Sequence, residues 1–138
     1  MPTYYPLDIG APLQASRSDL IDLRWSAGEI TADFELPDHQ DQALRIFFDC
    51  PCIVRLLDEM PLSTEADNSL DIGRVPEHFA YRVKGANFEA AQSETWKFAV
   101  GPLTHYQFVT GMTCMDVLAK VAPVFTLISL QSTRDRRQ

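Results

Sequence analysis

The sequence contains no run of about 18 apolar residues, no glycine-rich phosphate loop and no Gly-x-Ser-x-Gly motif. The first absence excludes a transmembrane helix, and residues 1–10 lack the basic and apolar regions of a signal peptide. The other two exclude a P-loop nucleotide site and the nucleophile turn of α/β-hydrolases. The three cysteines, an odd number without framework spacing, are expected to be free thiols in a reducing cytoplasm.

Basic residues are also scarce. The chain has 12 Lys and Arg against 19 Asp and Glu, which gives a net charge of -7. A field of this sign repels phosphate backbones and anionic membrane surfaces, so neither nucleic acid nor a membrane is expected as a partner. The same charge is enough to explain solubility by itself, and the alternative is that it steers a basic protein partner toward the chain.

The sequence does contain enough apolar material for one ordinary domain. Its 138 residues are 46% hydrophobic and 22% charged, near the globular average, and a chain of this length folds without disulfides or metals. We predict a single domain over residues 1–138, with an arm over residues 1–12, a long loop over Glu59–Gly73 and a frayed basic tail over Arg134–Gln138. A loop of that length is where a binding element is expected.

Alternation of apolar and polar residues predicts most of the secondary structure. Strands are expected over these ranges: Leu20–Trp25, Thr31–Leu36, Ala43–Leu57 with a break at Pro51, His78–Val83, Leu103–Thr110 and Val124–Leu130. Met115–Ala119 fits either a short strand or a single helical turn. One helix is expected near residues 87–98, with Asn87 as its N-cap.

The predicted fold class is α+β and strand-dominated. The strands follow one another without alternating helices, which favours antiparallel pairing. We therefore expect an antiparallel sheet, sandwich or open barrel, with the helix near residues 87–98 packed on it. Val124–Leu130 is apolar on both faces, a pattern typical of a central or covered strand.

His105, Cys114 and Asp116 are the candidates for catalysis. A histidine can act as a general base beside a carboxylate or a thiol. The alternative is a strand histidine that points outward or is hydrogen-bonded across the sheet. Cys50 and Cys52 have neither the spacing of zinc ligands nor that of a redox motif, so they are interpreted as buried small apolar residues. No metal and no cofactor are expected.

The binding candidates come from two parts of the sequence: Trp25, Phe47, Arg55 and Glu59. If both faces of their strands are apolar, Trp25 and Phe47 need a cover, either from the helix or from a partner. Asp58 and Glu59 could serve as a hydrolytic acid pair. The simpler interpretation is an ion pair between Arg55 and Glu59 at the end of a strand.

The C-terminal third resembles small uncharacterised bacterial single-domain proteins. The shared pattern is a His-Tyr-x-aliphatic-x-Thr strand at His105–Thr110, where this sequence departs from it with Phe108 in the aliphatic position, an Asp-Val-Leu segment at Asp116–Leu118 and a Pro-Val strand at Pro123–Val124. Upstream, Phe48–Glu59 is similar to their aromatic-rich strand that ends in Arg-x-x-Asp-Glu, so the resemblance covers about half the chain. It implies an interaction module, which in some such proteins is an immunity protein that neutralises a toxin. It implies no reaction.

Three functions are compatible with these features. The first is a cytosolic bacterial protein that binds another protein, in the immunity case a basic toxin. The second is a small-molecule-binding barrel or sandwich with a pocket lined by strand aromatics such as Phe34 and Phe108. The third is an enzyme built on His105, Asp116 and Cys114. An uncovered sheet edge or an apolar outer face would also permit a homodimer.

Overall fold

Strands dominate the structure. The computed structural model describes residues 2–58 and 72–130, and within them it contains nine strands, two short α-helices and one 3-10 helix. The strands are β1 Thr3–Pro6, β2 Leu20–Ser26, β3 Glu29–Glu35, β4 Gln42–Phe48, β5 Ile53–Asp58, β6 Ala80–Lys84, β7 Thr104–Phe108, β8 Thr113–Ala119 and β9 Val124–Ser129. The helices are the 3-10 helix Ala15–Arg17, α1 Asn87–Ala90 and α2 Glu94–Val100.

The strands form two sheets that share one core. Sheet A has five strands in the order β1-β6-β7-β8-β5, and sheet B has four in the order β2-β3-β4-β9. Neighbouring strands in both sheets are antiparallel, and neither sheet closes on itself. This architecture confirms the predicted strand-dominated α+β class.

Pro51 marks the point where the chain passes from one sheet to the other. The apolar run Ala43–Leu57 was expected to be one interrupted strand, and the structure divides it into β4 in sheet B and β5 in sheet A. Proline has no amide hydrogen for a ladder, so the pairing of β4 cannot continue through it. Cys50 and Cys52 flank the crossing, and both are free and buried in the core.

The core lies between the sheets and is built from alternating residues. Leu44, Ile46 and Phe48 face it from β4, as the strand period of two predicts. Four phenylalanines with ring centroids 4.8–6.3 Å apart occupy its centre: Phe34, Phe48, Phe79 and Phe108. Burying each ring stabilises the fold by about 1.5–3 kcal/mol. These rings contact one another and pack as core between the two sheets.

The helix expected near residues 87–98 is divided in two. α1 ends at Ala90, and α2 begins after Ser93, whose hydroxyl accepts a hydrogen bond from the amide of Trp96 at 3.2 Å. Ser93 is the N-cap of α2 and has a non-helical backbone, so a single helix cannot run through it. No helix in the described part of the chain is long and apolar enough to cross a membrane.

β9 differs from expectation in its place within sheet B, and for Met115–Ala119 the structure agrees with the strand alternative, in a longer strand. β9 was expected to be central or covered, but it is an edge strand, with Val124 and Leu127 56% and 48% exposed. β8 was expected to be a short strand or a helical turn around Met115–Ala119. It is a full strand between β7 and β5, buried on both faces.

The chain start and the long loop are described only in part. Residues 1–12, expected as an arm, contribute β1, which pairs with β6 at the edge of sheet A. From the predicted loop Glu59–Gly73, only the last two residues are described, and Ile72 forms an isolated bridge with Thr3. The predicted tail Arg134–Gln138 lies outside the described residues.

Candidate functional site

A polar cluster lies on the outer face of sheet A, the face turned away from the core. Strand register positions it, because Asp116 in β8 is paired with Arg55 of β5 on one side and with Gln107 of β7 on the other. His105 precedes Gln107 by two residues in β7, so both side chains point to the same face. We call these four residues the Asp116 cluster.

Asp116 accepts hydrogen bonds from the other three members of the cluster. The Nε2 atoms of His105 and Gln107 lie 2.7 and 3.0 Å from Oδ1 of the carboxylate. Arg55 donates to Oδ2 from Nη2 at 2.6 Å and from Nε at 3.1 Å. Because a carboxylate can only accept, His105 Nε2 carries the hydrogen. Arg74 extends the cluster by donating to Gln107 Oε1 at 3.3 Å.

The hydrogen bonds of the cluster lower the pKa of Asp116. Burial alone raises the pKa of a carboxyl group, and Asp116 is fully buried. Donors on His105, Gln107 and Arg55 outweigh that effect and hold the pKa of Asp116 below its usual 3.8. Asp116 is therefore a buried anion at neutral pH, and Arg55 provides a cation beside it.

Helix α1 separates the Asp116 cluster from solvent. Its Phe88 ring lies 5.2 Å from the His105 ring, and the Arg55 guanidinium lies 4.6 Å above the same phenyl ring. His105 and Asp116 are 1% and 0% exposed. His105 Nδ1 has no hydrogen-bond partner among the described residues. The cluster joins β5, β7 and β8 beneath the helix, an arrangement typical of a structural network.

The structure brings together two of the three catalytic candidates. His105 contacts Asp116, whereas the thiol of Cys114 faces the carbonyl oxygen of Thr110 at 3.6 Å. A catalytic group has to reach its substrate, and all three candidates are buried. The geometry favours the alternative interpretation, a histidine hydrogen-bonded across the sheet.

Cys52 lies in an environment that suppresses the reactivity of its thiol. Burial, with a smaller contribution from the neighbouring Cys50, raises the pKa of Cys52 to about 12. The thiolate is the form that attacks electrophiles and binds metals, so a protonated Cys52 is inert at neutral pH. Within residues 2–58 and 72–130, no three His, Cys, Asp or Glu side chains are grouped so that they could hold a metal ion.

The binding candidates lie in different places. Arg55 belongs to the Asp116 cluster, and Glu59 lies outside the described residues. Trp25 and Phe47 both belong to sheet B, but on opposite faces, because Trp25 is paired with the core residue Ile30. Trp25 lies at the sheet edge and is 63% exposed, whereas Phe47 is partly buried.

Sheet B carries an excess of negative charge. Residues 19–49, which form β2, β3, β4 and their connections, have two arginines against eight acidic side chains: Asp19, Asp22, Glu29, Asp33, Glu35, Asp38, Asp41 and Asp49. Arg45 binds Asp33 through two hydrogen bonds of 2.8 and 3.0 Å. The other carboxylates outnumber the cations around them, so this side of the molecule attracts positive charge.

A bulge in β2 changes which of its residues face solvent. Strict alternation predicts Ile21, Leu23 and Trp25 on one face, but the register shifts between Leu20 and Asp22. Leu20 and Leu23 are therefore both on the core side, and Ile21 is 45% exposed. Since β2 is an edge strand of sheet B, its outward backbone groups, Ile21 and Trp25 are accessible to a partner.

A cleft of about 630 Å³, which the sequence did not predict, lies at one end of the sandwich. Three segments far apart in the chain form it: the 3-10 helix, residues 74–78 and the connection between β7 and β8. Backbone hydrogen bonds from Ala15 to Glu77 and from Gly111 to Ala15, 3.1 and 2.9 Å long, hold the segments together. A Cβ atom on Gly111 would lie 2.4 Å from the Ser16 carbonyl oxygen, so the close approach requires glycine.

Glu77 occupies a position in the cleft wall that ordinarily takes glycine. The amide of His78 donates to the Val75 carbonyl at 3.1 Å and closes a turn whose central residues are Pro76 and Glu77. Glu77 has a φ of 64°, and proline followed by a residue with positive φ is characteristic of a type II turn. Pro76 is a turn signal in the sequence, but a glutamate in the usual glycine position obscures it.

Glu77→Ala is expected to destabilise the protein more than Glu77→Gly. Both variants lose the hydrogen bonds that Ser16 donates to the carboxylate. Alanine keeps a Cβ in the left-handed conformation, at a cost of about 1–2 kcal/mol, and glycine does not. Urea unfolding should show the glycine variant to be more stable by about 1 kcal/mol. Equal stabilities would mean that the turn relaxes into another conformation.

The Asp116 cluster, the β2 edge and the cleft at Glu77 differ in their exposure to solvent. The Asp116 cluster is buried, whereas the β2 edge and the cleft at Glu77 are open to solvent. The two open places are therefore the candidate functional site of the described chain. Comparison of the chain with protein-family models, with curated proteins and with solved structures finds no match.

Proposed function

We propose that this chain is a non-enzymatic protein-binding module that captures a basic protein through sheet B. The observation that carries the proposal is Trp25, which is 63% exposed on an edge strand of an acidic sheet. Tryptophan is enriched among the few residues that dominate binding energy at protein interfaces. An exposed tryptophan surrounded by carboxylates is complementary to a partner surface that has an apolar pocket with basic residues around it.

The edge strand offers the partner a second means of attachment. β2 has seven residues and contains no proline, and among residues 2–58 and 72–130 the one strand paired with it is β3. Its outward N–H and C=O groups can pair with an extended segment of a partner, as in β-strand addition. Ile21 on the same strand, 45% exposed, provides a further apolar contact.

The distribution of charge supports a basic partner in particular. Glu29 and Asp49 lie at the end of sheet B where Trp25 is found, because Trp25, Ile30 and Phe48 are paired across β2, β3 and β4. Carboxylates at the rim of an interface accelerate association with a cation-rich surface. That acceleration is screened by salt, so capture should weaken as ionic strength rises.

The cellular setting that we propose is the bacterial cytoplasm, with an immunity-type or accessory role. The resemblance of His105–Thr110 and Asp116–Leu118 to small bacterial interaction proteins supports that role. Three buried cysteine side chains are compatible with a reducing compartment. In the immunity case, the captured basic protein is a toxin.

The test is capture by the tagged protein at native expression in its own cells, with mass spectrometry of the bound proteins. We expect one stoichiometric partner with a basic sequence. Trp25→Ala should weaken its binding about 30-fold or more, because a central tryptophan contributes about 2 kcal/mol or more. The double variant Glu29→Lys and Asp49→Lys should slow association.

The matched control places the same charge changes outside sheet B. Glu89→Lys and Glu94→Lys alter α1 and α2, and they should leave binding unchanged. Full binding by Trp25→Ala would contradict the proposal. An acidic partner, or a second copy of this chain as the only captured protein, would also contradict it.

A further inference from the structure

The cleft at Glu77 has the composition of a site for a long basic side chain. Val75, Pro76 and Val109 contribute apolar walls, and Glu77 and Ser16 contribute the polar part. A lysine side chain has an apolar methylene stem, which packs on apolar surface, and a terminal ammonium, which needs an acceptor. The walls and the carboxylate of the cleft match these two parts.

The Glu77 carboxylate is held in position without a ligand. Its Oε2 atom accepts from the hydroxyl of Ser16 at 2.7 Å and from the Ser16 amide at 3.4 Å. Its Oε1 atom has no hydrogen-bond partner among residues 2–58 and 72–130. An acceptor that is already oriented loses less conformational freedom when a ligand binds.

Arg74 and His78 also line the cleft, and hydrogen bonds within the fold engage Arg74 Nη2 and His78 Nε2. The Arg74 guanidinium lies 4.1 Å above the Tyr4 ring and donates to the Tyr4 hydroxyl at 3.0 Å and to Gln107 Oε1 at 3.3 Å. His78 Nε2 lies 2.9 Å from the carbonyl oxygen of Leu7. Arg74 is thus turned toward the Asp116 cluster, and Glu77 is the anion of the cleft lining.

We infer that the cleft accepts a lysine side chain of the basic partner, with the ammonium on Glu77 and the stem on Val75 and Pro76. This inference rests on the proposed function and names a second contact of the same interface. The 3-10 helix that lines the cleft leads directly into β2. Along β2, Leu20 and Trp25 are about 17 Å apart at about 3.3 Å per residue. An interface of about 800 Å² per partner is large enough to cover both contacts.

The test uses a capped lysine, Nα-acetyl-L-lysine N-methylamide, as the probe in an NMR titration of the intact chain. We expect saturable shifts at the amides of Ser16, Glu77 and Gly111. The Nε-acetylated form of the probe keeps the stem without the charge and should cause none. Glu77→Gln keeps an acceptor for Ser16 and should weaken binding of the lysine probe about fivefold.

Glu94→Gln is the matched control, because its side chain is 88% exposed on α2, outside the cleft, and it should bind the probe as the wild type does. Equal binding by Glu77→Gln, or equal shifts from the acetylated probe, would overturn the inference.

The experiments distinguish failure of the cleft inference from failure of the proposed function. If the probe does not bind but Trp25→Ala still weakens capture, the cleft assignment is wrong and the role of sheet B stands. If the probe binds but no basic partner is captured, the proposed function is wrong and the chemistry of the cleft stands.

Discussion

Asp116→Ala is expected to lower the free energy of unfolding by about 3–5 kcal/mol, because it leaves two buried donors without an acceptor and the 29% exposed Arg55 side chain without its carboxylate. The substitution takes from Arg55 a carboxylate that lies 2.6 Å away. It also removes the acceptor of His105 Nε2 and Gln107 Nε2, which are buried and cannot bind water instead. Urea unfolding measures the loss, which is a large share of the roughly 5–15 kcal/mol that stabilises a domain.

Asp33→Ala is the matched control for that prediction. Asp33 is also buried, and Arg45 binds it through two hydrogen bonds. The side chains of Arg45 and Arg24 are 33% and 57% exposed, and that of Arg55 is 29% exposed, so all three guanidinium groups can reach water when a carboxylate is lost. The difference is that Asp116 also has two buried donors, His105 and Gln107, which cannot. We expect a cost of about 1 kcal/mol. Equal costs for the two substitutions would show that burial of the donors does not determine the effect.

The Asp116 cluster also makes stability depend on pH. The pKa of Asp116 is below 3.8 in the folded protein and returns to its usual value in the unfolded chain. The unfolded state therefore binds the proton first as pH falls. The contribution is complete above about pH 5 and is lost as pH falls through the unfolded pKa toward the folded one. Asp116→Asn has no proton to bind and should lack this part of the acid dependence in unfolding titrations.

The same asparagine variant separates a structural role of the cluster from a catalytic one. The cluster lies on sheet A and is buried, whereas Trp25 is on an edge of sheet B. A folded Asp116→Asn protein should therefore capture the partner as the wild type does, although its stability is lower. Lost function in a folded variant would favour the catalytic interpretation of His105 and Asp116.

Local alternation was sufficient to predict which residues of β4 form the core. Leu44, Ile46 and Phe48 share a face in the sequence and are buried together in the structure. Burial of one face of a strand imposes a period of two, which is visible within a few residues. Pro51 was recognised by an equally local property, its missing amide hydrogen. Its position between two different sheets was not predictable, because pairing partners lie far away in the chain.

The position of a strand within a sheet was not predictable for a related reason. β9 is apolar on both faces, yet it is an edge strand with Val124 and Leu127 exposed. β8 has the charged residue Asp116 on its outer face, yet it is enclosed on both faces. For β9, an apolar pattern indicates that a face is covered but not what covers it. For β8, a buried charge is tolerated because the hydrogen-bond partners of Asp116 lie on neighbouring strands.

The sequence showed which residues had suitable side-chain chemistry for a site, but not which of them would lie together or be exposed. His105 and Asp116 were recognised as a histidine and a carboxylate, but their contact depends on the register of β7 against β8. Trp25 was recognised as a large apolar residue, and its exposure depends on β2 being an edge. The cleft was missed because its three segments are brought together by tertiary contacts, and because Glu77 replaces the glycine typical of its turn.

Phe108→Ala is expected to cost about 3–5 kcal/mol, similar to the loss for Asp116→Ala but for a different reason. The Phe108 ring is fully buried, and alanine would leave a cavity between the sheets. Three aromatic rings of sheet B and one from the segment before β6 surround it at centroid distances of 5.6–6.4 Å: Phe34, Phe48, Phe125 and Phe79. These rings are packed against one another, so they cannot collapse into the cavity without losing other contacts. Urea unfolding measures the loss.

Phe98→Ala makes the same chemical change at a side chain that is 91% exposed. It should alter the free energy of unfolding by no more than about 0.5 kcal/mol. The difference between the two variants then measures what burial and contact contribute to Phe108, because the atoms removed are identical. A comparable loss at Phe98 would mean that α2 is covered by another part of the chain. A small loss at Phe108 would mean that the sheets adjust to each other freely, and the β2 edge would then lack the rigid support that presents Trp25 to a partner.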